Sequence, residues 1–340
     1  MAAPARLNLH RPAKARPHVL IVTPALAAAN NGNSHTALRW QRMLAPVARV
    51  QVALAWQGEP VDALIVLHAR RSAASVARWR EARAGAPLAL VLTGTDLYRD
   101  LAESDVDALH SVECASHLVV LQPEALARLD APARARARVI LQSASRLLRH
   151  DSAARSYDFV AVGHLRDEKD PETLMRAAHL LASRESERLT IGHIGDALDA
   201  HLAEAARATM TACPAYRWLG AMPHGAARRA IARARALVHT SRMEGGANVV
   251  IEAVRSRVPV LASRIDGNVG LLGTDYDGYF PVGDAAALAA LMRRFVGDPA
   301  FAARLAAQCA QREPLFRPAV ERRAVRALLA DLLPARRTRR

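Results

Sequence analysis

The chain has 340 residues, of which 51% are hydrophobic and 4% aromatic, and its formal net charge at pH 7 is +15. The length predicts two domains, each large enough to bury its own core, and no apolar run reaches the roughly 18 residues that a membrane span requires. The 3 cysteines lie far apart, which argues against a disulfide framework or a cysteine zinc site and favours a reducing, cytoplasmic location.

The first half of the chain alternates short apolar runs with helical patterns. It starts with a basic, proline-rich segment, residues 1–16, which we predict to be a disordered tail rather than a signal peptide. Strands are then predicted at 18–26, 49–56, 62–69, 86–96, 117–122 and 137–143, and helices at about 35–44 and 72–84. Because this alternation is typical of a parallel doubly wound sheet, residues 17–150 are predicted to form a Rossmann-like domain.

The pattern restarts after a polar segment without a clear period, residues 145–157, which we interpret as a linker. A helix predicted at 170–183 opens with Asp170 and Pro171, residue types that favour a helix start. Strands are predicted at 158–165, 188–195, 216–222, 236–241 and 257–263. Residues 151–312 are therefore predicted to form a second Rossmann-like domain, followed by a helix over about 313–333.

The stretch SRMEGGANVVIEA, residues 241–253, carries the strongest functional signal. It places Glu244 in a glycine-rich turn after a predicted strand, and Glu252 about one turn inside the following helix. Backbone N–H groups at the start of a helix bind anions, and a carboxylate accepts hydrogen bonds from sugar hydroxyls. A phosphate beside a polyol is what a nucleotide-sugar presents, and ligands bind at the carboxyl ends of such strands.

The same stretch resembles the E-x7-E signature of GT-B glycosyltransferases of the retaining family 4 type, and the likeness extends over about residues 17–330. The resemblance implies an α/β fold of the GT-B class, with two Rossmann-like doubly wound domains facing a cleft. It also implies that the helix within residues 313–340 crosses back to the first domain. The second domain is then expected to bind the donor nucleotide-sugar, and the first domain the acceptor.

Residues 163–169, GHLRDEK, resemble the family's G-R-L-x-x-x-K loop, in which an arginine and a lysine neutralise the donor diphosphate. Lys169 matches the lysine, whereas His164 stands in the place of the arginine, so that either His164 or Arg166 takes over its role. The resemblance implies catalytic roles for Glu244, Lys169 and His164. The donor-binding residues that it implies are Gly163, Arg166, Leu219, Gly245, Gly246, Ala247, Asn248 and Glu252.

Polar and cationic residues follow three predicted strands of the first domain, at the edge where the carboxyl ends of parallel strands meet. A glycine in the loop Asn30–Asn33 allows a close approach of the backbone, although the family's Gly-Gly pair is absent there. Together these residues predict a site for an oxyanion-sized acceptor. The candidates are Asn31, Gly32, Asn33, Arg39, His68, Arg70, Arg71, Thr93, Thr95 and Asp96.

Several segments indicate a specialised subgroup. The family's P-N-G-V-D-like turn is absent, and residues 141–144, LQSA, stand in its place. The segments TPALAAANNGN, LHARRSA, LTGTDLY, VGHLRDEKDP and MEGGANVVIEA resemble the selenosugar synthases of selenoneine biosynthesis. The resemblance implies that a UDP-sugar, typically UDP-N-acetylglucosamine, is joined to selenophosphate through a C–Se bond, with release of UDP and phosphate. It also implies other enzymes of the selenoneine pathway as functional partners.

Other functions stay open at this stage. A conventional family 4 transferase would use a hydroxyl acceptor, and the missing arginine at His164 is compatible with a non-catalytic nucleotide-sugar-binding protein. Nucleic-acid binding is not expected, because basic residues are not interleaved with aromatic ones and almost all are arginines, with only Lys14 and Lys169 as lysines. The best candidate for a membrane-binding helix, residues 69–84, has mostly alanine on its apolar side, so no stable membrane association is expected. Protein cations at the diphosphate make a divalent metal unnecessary, and we expect neither a metal nor a cofactor.

Overall fold

The computed structural model describes residues 16–26, 32–147, 157–182 and 189–334. The predicted tail up to residue 15, the predicted domain boundary between 150 and 151, and most of the predicted linker lie outside these ranges. The described residues form two six-stranded parallel sheets, each accompanied by helices. The prediction of an α/β fold with two doubly wound domains is confirmed.

The first sheet has the strand order β2-β1-β3-β4-β5-β6. Its strands are β1 (His18–Val22), β2 (Arg49–Ala53), β3 (Ala63–Leu67), β4 (Leu88–Leu92), β5 (His117–Val120) and β6 (Ala137–Val139). The accompanying helices are α1 (Gly32–Leu44), α2 (Ala73–Ala82), α3 (Val106–Cys114) and α4 (Ala131–Ala135). Every residue of β3 and β4 is buried, which explains why both strands read as unbroken apolar runs. The order reverses between β1 and β3, where a doubly wound sheet opens a crevice.

The second sheet has the strand order β12-β11-β10-β7-β8-β9. Its strands are β7 (Phe159–Val162), β8 (Ile191–Ile194), β9 (Tyr216–Trp218), β10 (Ala236–His239), β11 (Val260–Ser263) and β12 (Tyr279–Phe280). The accompanying helices are α5 (Pro171–Ala182), α6 (Ala200–Ala212), α7 (His224–Arg233), α8 (Asn248–Arg255), α9 (Asp266–Leu272), α10 (Ala285–Gly297) and α11 (Pro299–Arg312). The order reverses between β7 and β10, so the loops that leave these two strands meet at a crevice.

The structure differs from the sequence prediction at the ends of several elements. Helix α1 begins at Gly32, inside the segment that was predicted to remain a loop up to residue 34. The strand predicted at 86–96 ends at Leu92, because the residues after it turn around a buried aspartate. Helix α3 was not predicted, although Asp105 caps it by accepting a hydrogen bond from the Ala108 N–H at 2.9 Å.

The C-terminal segment is not the single helix that was predicted over 313–333. Residues Glu313–Phe316 form a 3₁₀ turn, and α12 (Pro318–Leu332) begins after it. The prolines at 314 and 318 explain the break, because a proline has no N–H to donate and is tolerated only in the first turn of a helix.

Helix α12 packs on α1, and thus on the first domain, although it follows the second domain in the chain. Its apolar residues Val325, Leu328, Leu329 and Leu332 share one core cluster with residues of β1 and α1. The Glu321 carboxylate of α12 is buried and accepts hydrogen bonds from Arg39 Nε and Trp40 Nε1, each at 2.8 Å. Among the described helices, none is both long and apolar enough to cross a membrane.

Candidate active site

A cleft lies between the carboxyl ends of the two sheets. Its first-domain wall consists of Gly32, Asn33, Thr36, His68, Arg71, Thr93, Gly94, Thr95, Leu121 and Gln142. Its second-domain wall consists of Arg166, Glu168, Lys169, Met243, Glu244, Gly246 and Asn248. These second-domain residues come from the loops after β7 and β10, because the reversal of strand order brings those two loops together.

Glu244 and Lys169 form an ion pair at the centre of the second-domain wall. The Lys169 ammonium donates to Glu244 Oε1, and the two side chains are 22% and 12% exposed. Ser241 Oγ donates to the same oxygen at 2.8 Å, and His239 Nε2 lies 3.3 Å from it. The sequence suggested both ionic residues from separate motifs, and the fold places them in direct contact.

The Glu244 carboxyl group stays ionised at neutral pH. Burial alone raises its pKa, but the Lys169 ammonium and the His239 hydrogen bond outweigh burial and hold the pKa well below its ordinary value. A buried carboxylate next to a cation in a cleft is a common arrangement of functional sites. The pair is therefore able to exchange its internal contact for contacts with a ligand that carries both hydroxyl groups and negative charge.

The donor loop, residues 241–248, runs against the first domain with almost no space between the backbones. A Cβ atom on Gly245 would lie 2.4 Å from the carbonyl carbon and oxygen of Thr93 and 2.7 Å from the nitrogen of Gly94. A Cβ on Gly246 would lie 2.9 Å from Leu121 Cβ. Both glycines are thus needed for the two walls to approach each other as they do here.

Helix α8 starts at the cleft, and its first residue, Asn248, lines it. Ala247 is the buried residue before the helix, and no side chain caps its first backbone N–H groups. Across the cleft, Gly32 begins α1, and the Asn248 side-chain nitrogen lies 3.6 Å from the position of a Cβ on Gly32. Two helix N-termini therefore face the same space, and each contributes positive potential to it.

Glu252, the second acid of the motif, is bound to a histidine. His224 Nε2 lies 2.6 Å from Glu252 Oε1, and the carboxylate is 8% exposed. His224, the first residue of α7, also stacks on His35 of α1, with ring centroids 4.4 Å apart. Glu252 is not among the residues that line the cleft.

His164 and Arg166, the two candidates for the role of the family's missing arginine, differ in whether they line the cleft. His164 Nδ1 accepts a hydrogen bond from the backbone N–H of Asp196 at 3.0 Å, and His164 is not among the cleft-lining residues. Arg166 lines the cleft, where its Nε lies 3.8 Å from Glu168 Oε2. Arg99 of the first domain holds the other oxygen of Glu168 at 3.1 Å, an ion pair across the cleft.

Two further donor candidates, Gly163 and Leu219, are described by the contacts of their backbones. Gly163 lies beside the stem of Lys169, and a Cβ on it would be 3.5 Å from the lysine Cγ and Cδ atoms. The absence of a side chain there lets the stem pass close to the end of β7. The Leu219 N–H donates to the carbonyl oxygen of His193 at 2.8 Å, so this donor is already used within the sheet.

His68 and Thr95 form a hydrogen-bonded pair on the first-domain wall. His68 has a φ of 72°, which is unusual for a residue with a side chain. Burial lowers the pKa of its imidazole and outweighs the opposing Asp96 carboxylate, so the ring is neutral at pH 7. Because the Arg71 N–H donates to Nδ1 at 3.3 Å, Nε2 carries the proton and donates to Thr95 Oγ1 at 3.0 Å. The Thr95 hydroxyl hydrogen is left to donate into the cleft.

Asp96 organises this wall from behind. Its carboxylate is fully buried and accepts hydrogen bonds from the backbone N–H groups of Ala69, Thr93 and Gly94 at 2.8–3.0 Å. It therefore ties the loop after β3 to the loop after β4 and does not line the cleft.

Replacing Asp96 with asparagine is expected to destabilise the fold by about 1–3 kcal/mol, because an NH₂ group would face backbone donors. The urea midpoint should fall with an unchanged m value. Asp62→Asn is the control, since Asp62 is exposed and accepts one backbone bond, from His18 at 2.7 Å. Undiminished stability of D96N with loss of turnover would instead place Asp96 in contact with the substrate.

Two other acceptor candidates are engaged elsewhere, and one is not described. Arg39 pairs with the buried Glu321, and Arg70 pairs with Asp105 at 3.0 Å. Neither arginine is among the cleft-lining residues, whereas Gly32, Asn33, Arg71, Thr93 and Thr95 are. Asn31 lies outside the described residues.

Sequence reasoning missed several residues of the site. Gln142, with its amide oriented to satisfy both ends, donates to the Gly246 carbonyl at 3.0 Å and accepts from Arg39 Nη2 at 3.3 Å. His239 and Ser241 contact Glu244, and His224 contacts Glu252. The one available signal was the run ALVHTS, in which a histidine ends an otherwise apolar strand.

Comparison with solved structures identifies the class of fold. Sucrose-phosphate synthase from Thermosynechococcus elongatus is 16% identical, with a TM-score of 0.75, over 93% of this chain and 99% of that one. HepE from Anabaena, solved with UDP and glucose, is 15% identical, with a TM-score of 0.74, over 93% and 100%. Identities this low establish the fold alone, and it is the predicted GT-B class. The chain spans 56% of TarM from S. aureus, at 14% identity and a TM-score of 0.62.

A protein-family model matches the second domain by sequence. Residues 149–312 match the family described as glycosyl transferases group 1. The chain thus contains a glycosyltransferase group 1 domain, and this domain carries Lys169, Glu244 and Glu252. No curated protein matches the chain significantly in sequence.

Proposed function

We propose that this protein is a selenosugar synthase, which transfers a sugar from a UDP-sugar, UDP-N-acetylglucosamine in the first instance, to selenophosphate. The observation that carries the proposal is the Lys169–Glu244 ion pair, which faces a polar acceptor wall across a narrow cleft. The pair lies in the glycosyltransferase group 1 domain. The resemblance of several segments to selenosugar synthases favours selenophosphate as the acceptor.

The donor half of the proposal rests on the loops after β7 and β10. Lys169 and Arg166 are the cations that line the second-domain wall, and the N-terminus of α8 adds backbone donors beside them. We assign the diphosphate to these groups, with Arg166 rather than His164 in the role of the family's arginine. HepE, which shares the fold, was solved with UDP, and this supports a UDP-sugar as donor.

The acceptor half rests on the chemistry of the first-domain wall. Within the described lining of the cleft, the apolar side chains are Leu121 and Met243, and these two do not form an apolar groove for a lipid or an aromatic acceptor. Arg71, the Thr95 hydroxyl and the N-terminus of α1 instead offer hydrogen-bond donors and positive potential. A small, multiply charged oxyanion fits such a wall better than a large neutral alcohol.

The proposed reaction requires little acid–base chemistry. Selenium attacks the anomeric carbon, the C–Se bond forms, and the C–O bond to the diphosphate breaks, with its electron pair leaving on UDP. Water then attacks phosphorus, the Se–P bond breaks with its electron pair leaving on selenium, and the products are phosphate and the selenosugar selenol, which takes up a proton from the water. His68, the neutral imidazole at the cleft, has both nitrogens engaged by Arg71 and Thr95. It is therefore poorly placed to deprotonate a hydroxyl acceptor, whereas an anionic selenium nucleophile needs no such base.

Mass spectrometry of the products tests the proposal. The protein is incubated with UDP-N-acetylglucosamine and freshly prepared selenophosphate, beside a reaction without selenophosphate. We expect a selenium isotope pattern on a sugar mass together with an equal amount of UDP. Formation of UDP and a glycoside with alcohol acceptors, but no selenosugar, would identify a conventional transferase. Absence of any UDP with all acceptors would leave a nucleotide-sugar-binding protein.

A further inference from the structure

His239 lies beneath the Glu244 carboxylate and is used by none of the roles assigned so far. It is the last residue of β10 and is 4% exposed. Its Nε2 lies 3.3 Å from Glu244 Oε1 and 3.2 Å from Ser241 Oγ. The ring thus contacts the acid of the site without being among the residues that line the cleft.

The hydrogen-bond pattern fixes the tautomer of His239. Ser241 donates its hydroxyl hydrogen to Glu244 Oε1 at 2.8 Å, so the serine oxygen is left to accept from the histidine. Nε2 must therefore carry a hydrogen, which is shared between Ser241 and Glu244. Nδ1 is buried and has no hydrogen-bond partner among the described residues.

The same contacts orient the Glu244 carboxylate. The three described donors, from Lys169, Ser241 and His239, all meet its Oε1 atom. Oε2 is therefore the oxygen left for a ligand, and Glu244 lines the cleft. Ser241 is itself held, because its backbone carbonyl accepts from Ser263 Oγ at 2.6 Å.

Lys169 has two roles that compete with each other. In this structure its ammonium group is the counter-ion of Glu244, whereas in the proposed function it binds the donor diphosphate. When the ammonium turns towards phosphate, Glu244 loses part of its countercharge at the moment when it must face the sugar. The contacts from His239 and Ser241 are the ones that do not depend on Lys169.

We propose that His239 is a positioning residue, which keeps Glu244 ionised and oriented while Lys169 engages the diphosphate. This role rests on the proposed function only in the assignment of Lys169 to phosphate. Among the described residues, the other titratable or charged groups that line the cleft with Glu244 are Lys169, Arg166 and Glu168 from the turn after β7, and His68 and Arg71 from the opposite wall. His239 differs from them because it is buried at the end of β10 and is not among the residues that line the cleft.

Removing His239 is expected to raise the pKa of Glu244. Burial raises the pKa of Glu244, and the Lys169 charge and the His239 hydrogen bond oppose that effect. Without the Nε2–H donor the pKa of Glu244 rises, so Glu244 takes up a proton at a higher pH as the pH falls.

Two polar substitutions distinguish the effect of losing the Nε2–H donor from the effect of losing the imidazole ring. His239→Gln can place an amide N–H near the position of Nε2, whereas His239→Asn is too short to reach Glu244. His193→Asn is the matched control, because His193 is equally buried at 4% but bonds to Tyr216 Oη at 2.8 Å and lies on β8. The full chain is labelled with glutamate that carries ¹³C at the side-chain carboxyl carbon, and the Glu244 signal in the NMR spectrum is assigned as the one that disappears in Glu244→Gln. With UDP bound, the chemical shift of this signal reports whether Glu244 is protonated.

We expect Glu244 to titrate about one pH unit higher in H239N than in the wild type, and H239Q and H193N to titrate like the wild type. The kcat for UDP release should fall roughly tenfold in H239N, with little change in the KM for the UDP-sugar. An unchanged titration in H239N, or equal shifts in H239N and H239Q, would overturn the role of His239. If the shift is found while no acceptor yields UDP, the proposed function fails and the positioning of Glu244 by His239 stands.

Discussion

Replacing Lys169 with methionine is expected to lower the rate of UDP release on the order of 10²-fold, the typical loss when one preorganised donor to a developing anion is removed. Methionine keeps the unbranched stem that lies beside Gly163 but removes the charge. The same change leaves Glu244 without its counter-ion at 12% exposure. We therefore expect the free energy of unfolding to fall by about 1–3 kcal/mol.

A double variant distinguishes the two effects. In Lys169→Met combined with Glu244→Gln no unpaired charge is buried, so most of the lost stability should return while turnover stays low. Thermal melts and initial rates of UDP release, measured on the same samples, provide the comparison. Recovery of both stability and turnover in the double variant would mean that the pair is structural and that the donor phosphates bind elsewhere.

Replacing Gly245 with alanine is expected to lower turnover on the order of 10²-fold without unfolding either domain. The new Cβ would lie 2.4 Å from the carbonyl group of Thr93, which belongs to the opposite wall. Since that contact is with backbone, which cannot rotate away, the two walls must separate. Each domain keeps its own core cluster, so the thermal melt should change little.

The control for this substitution is Gly297→Ala. Gly297 is exposed at the end of α10, and a Cβ on it would have no neighbour within 4 Å. The radius of gyration from small-angle X-ray scattering should increase for G245A and stay unchanged for G297A. Wild-type turnover of G245A with an unchanged radius of gyration would show that the close approach seen here is not needed for the reaction.

The fold was predictable because its signals are local. Short apolar runs, a helix start at Pro171 and the glycine-rich turn before α8 are each read within about ten residues of sequence, and the structure confirms two doubly wound domains. The Glu244 and Lys169 motifs were also visible, because both follow strands that end at the same crevice. The sequence did not indicate that the two side chains touch, since 75 positions separate them.

The rest of the site depends on partners that only the folded chain brings together. Arg39 was a reasonable candidate for binding an anion, but its anion is Glu321, 282 positions later. Asp96 resembled a cleft carboxylate, yet it accepts from three backbone N–H groups in two loops of its own wall. His239 ends an apolar strand, and sequence alone does not distinguish a packed histidine from one that holds an acid.

The position of α12 has a consequence for synthesis on the ribosome. The first sheet emerges early, but the helix that completes its core contributes Val325, Leu328 and Leu332, almost at the end of the chain. Until then β1 and α1 lack part of their apolar cover, and the Arg39 and Trp40 donors lack the Glu321 carboxylate. The second domain can finish folding first, because its strands and helices are contiguous in the chain. Completion of the first domain's core must therefore wait until α12 has been synthesised.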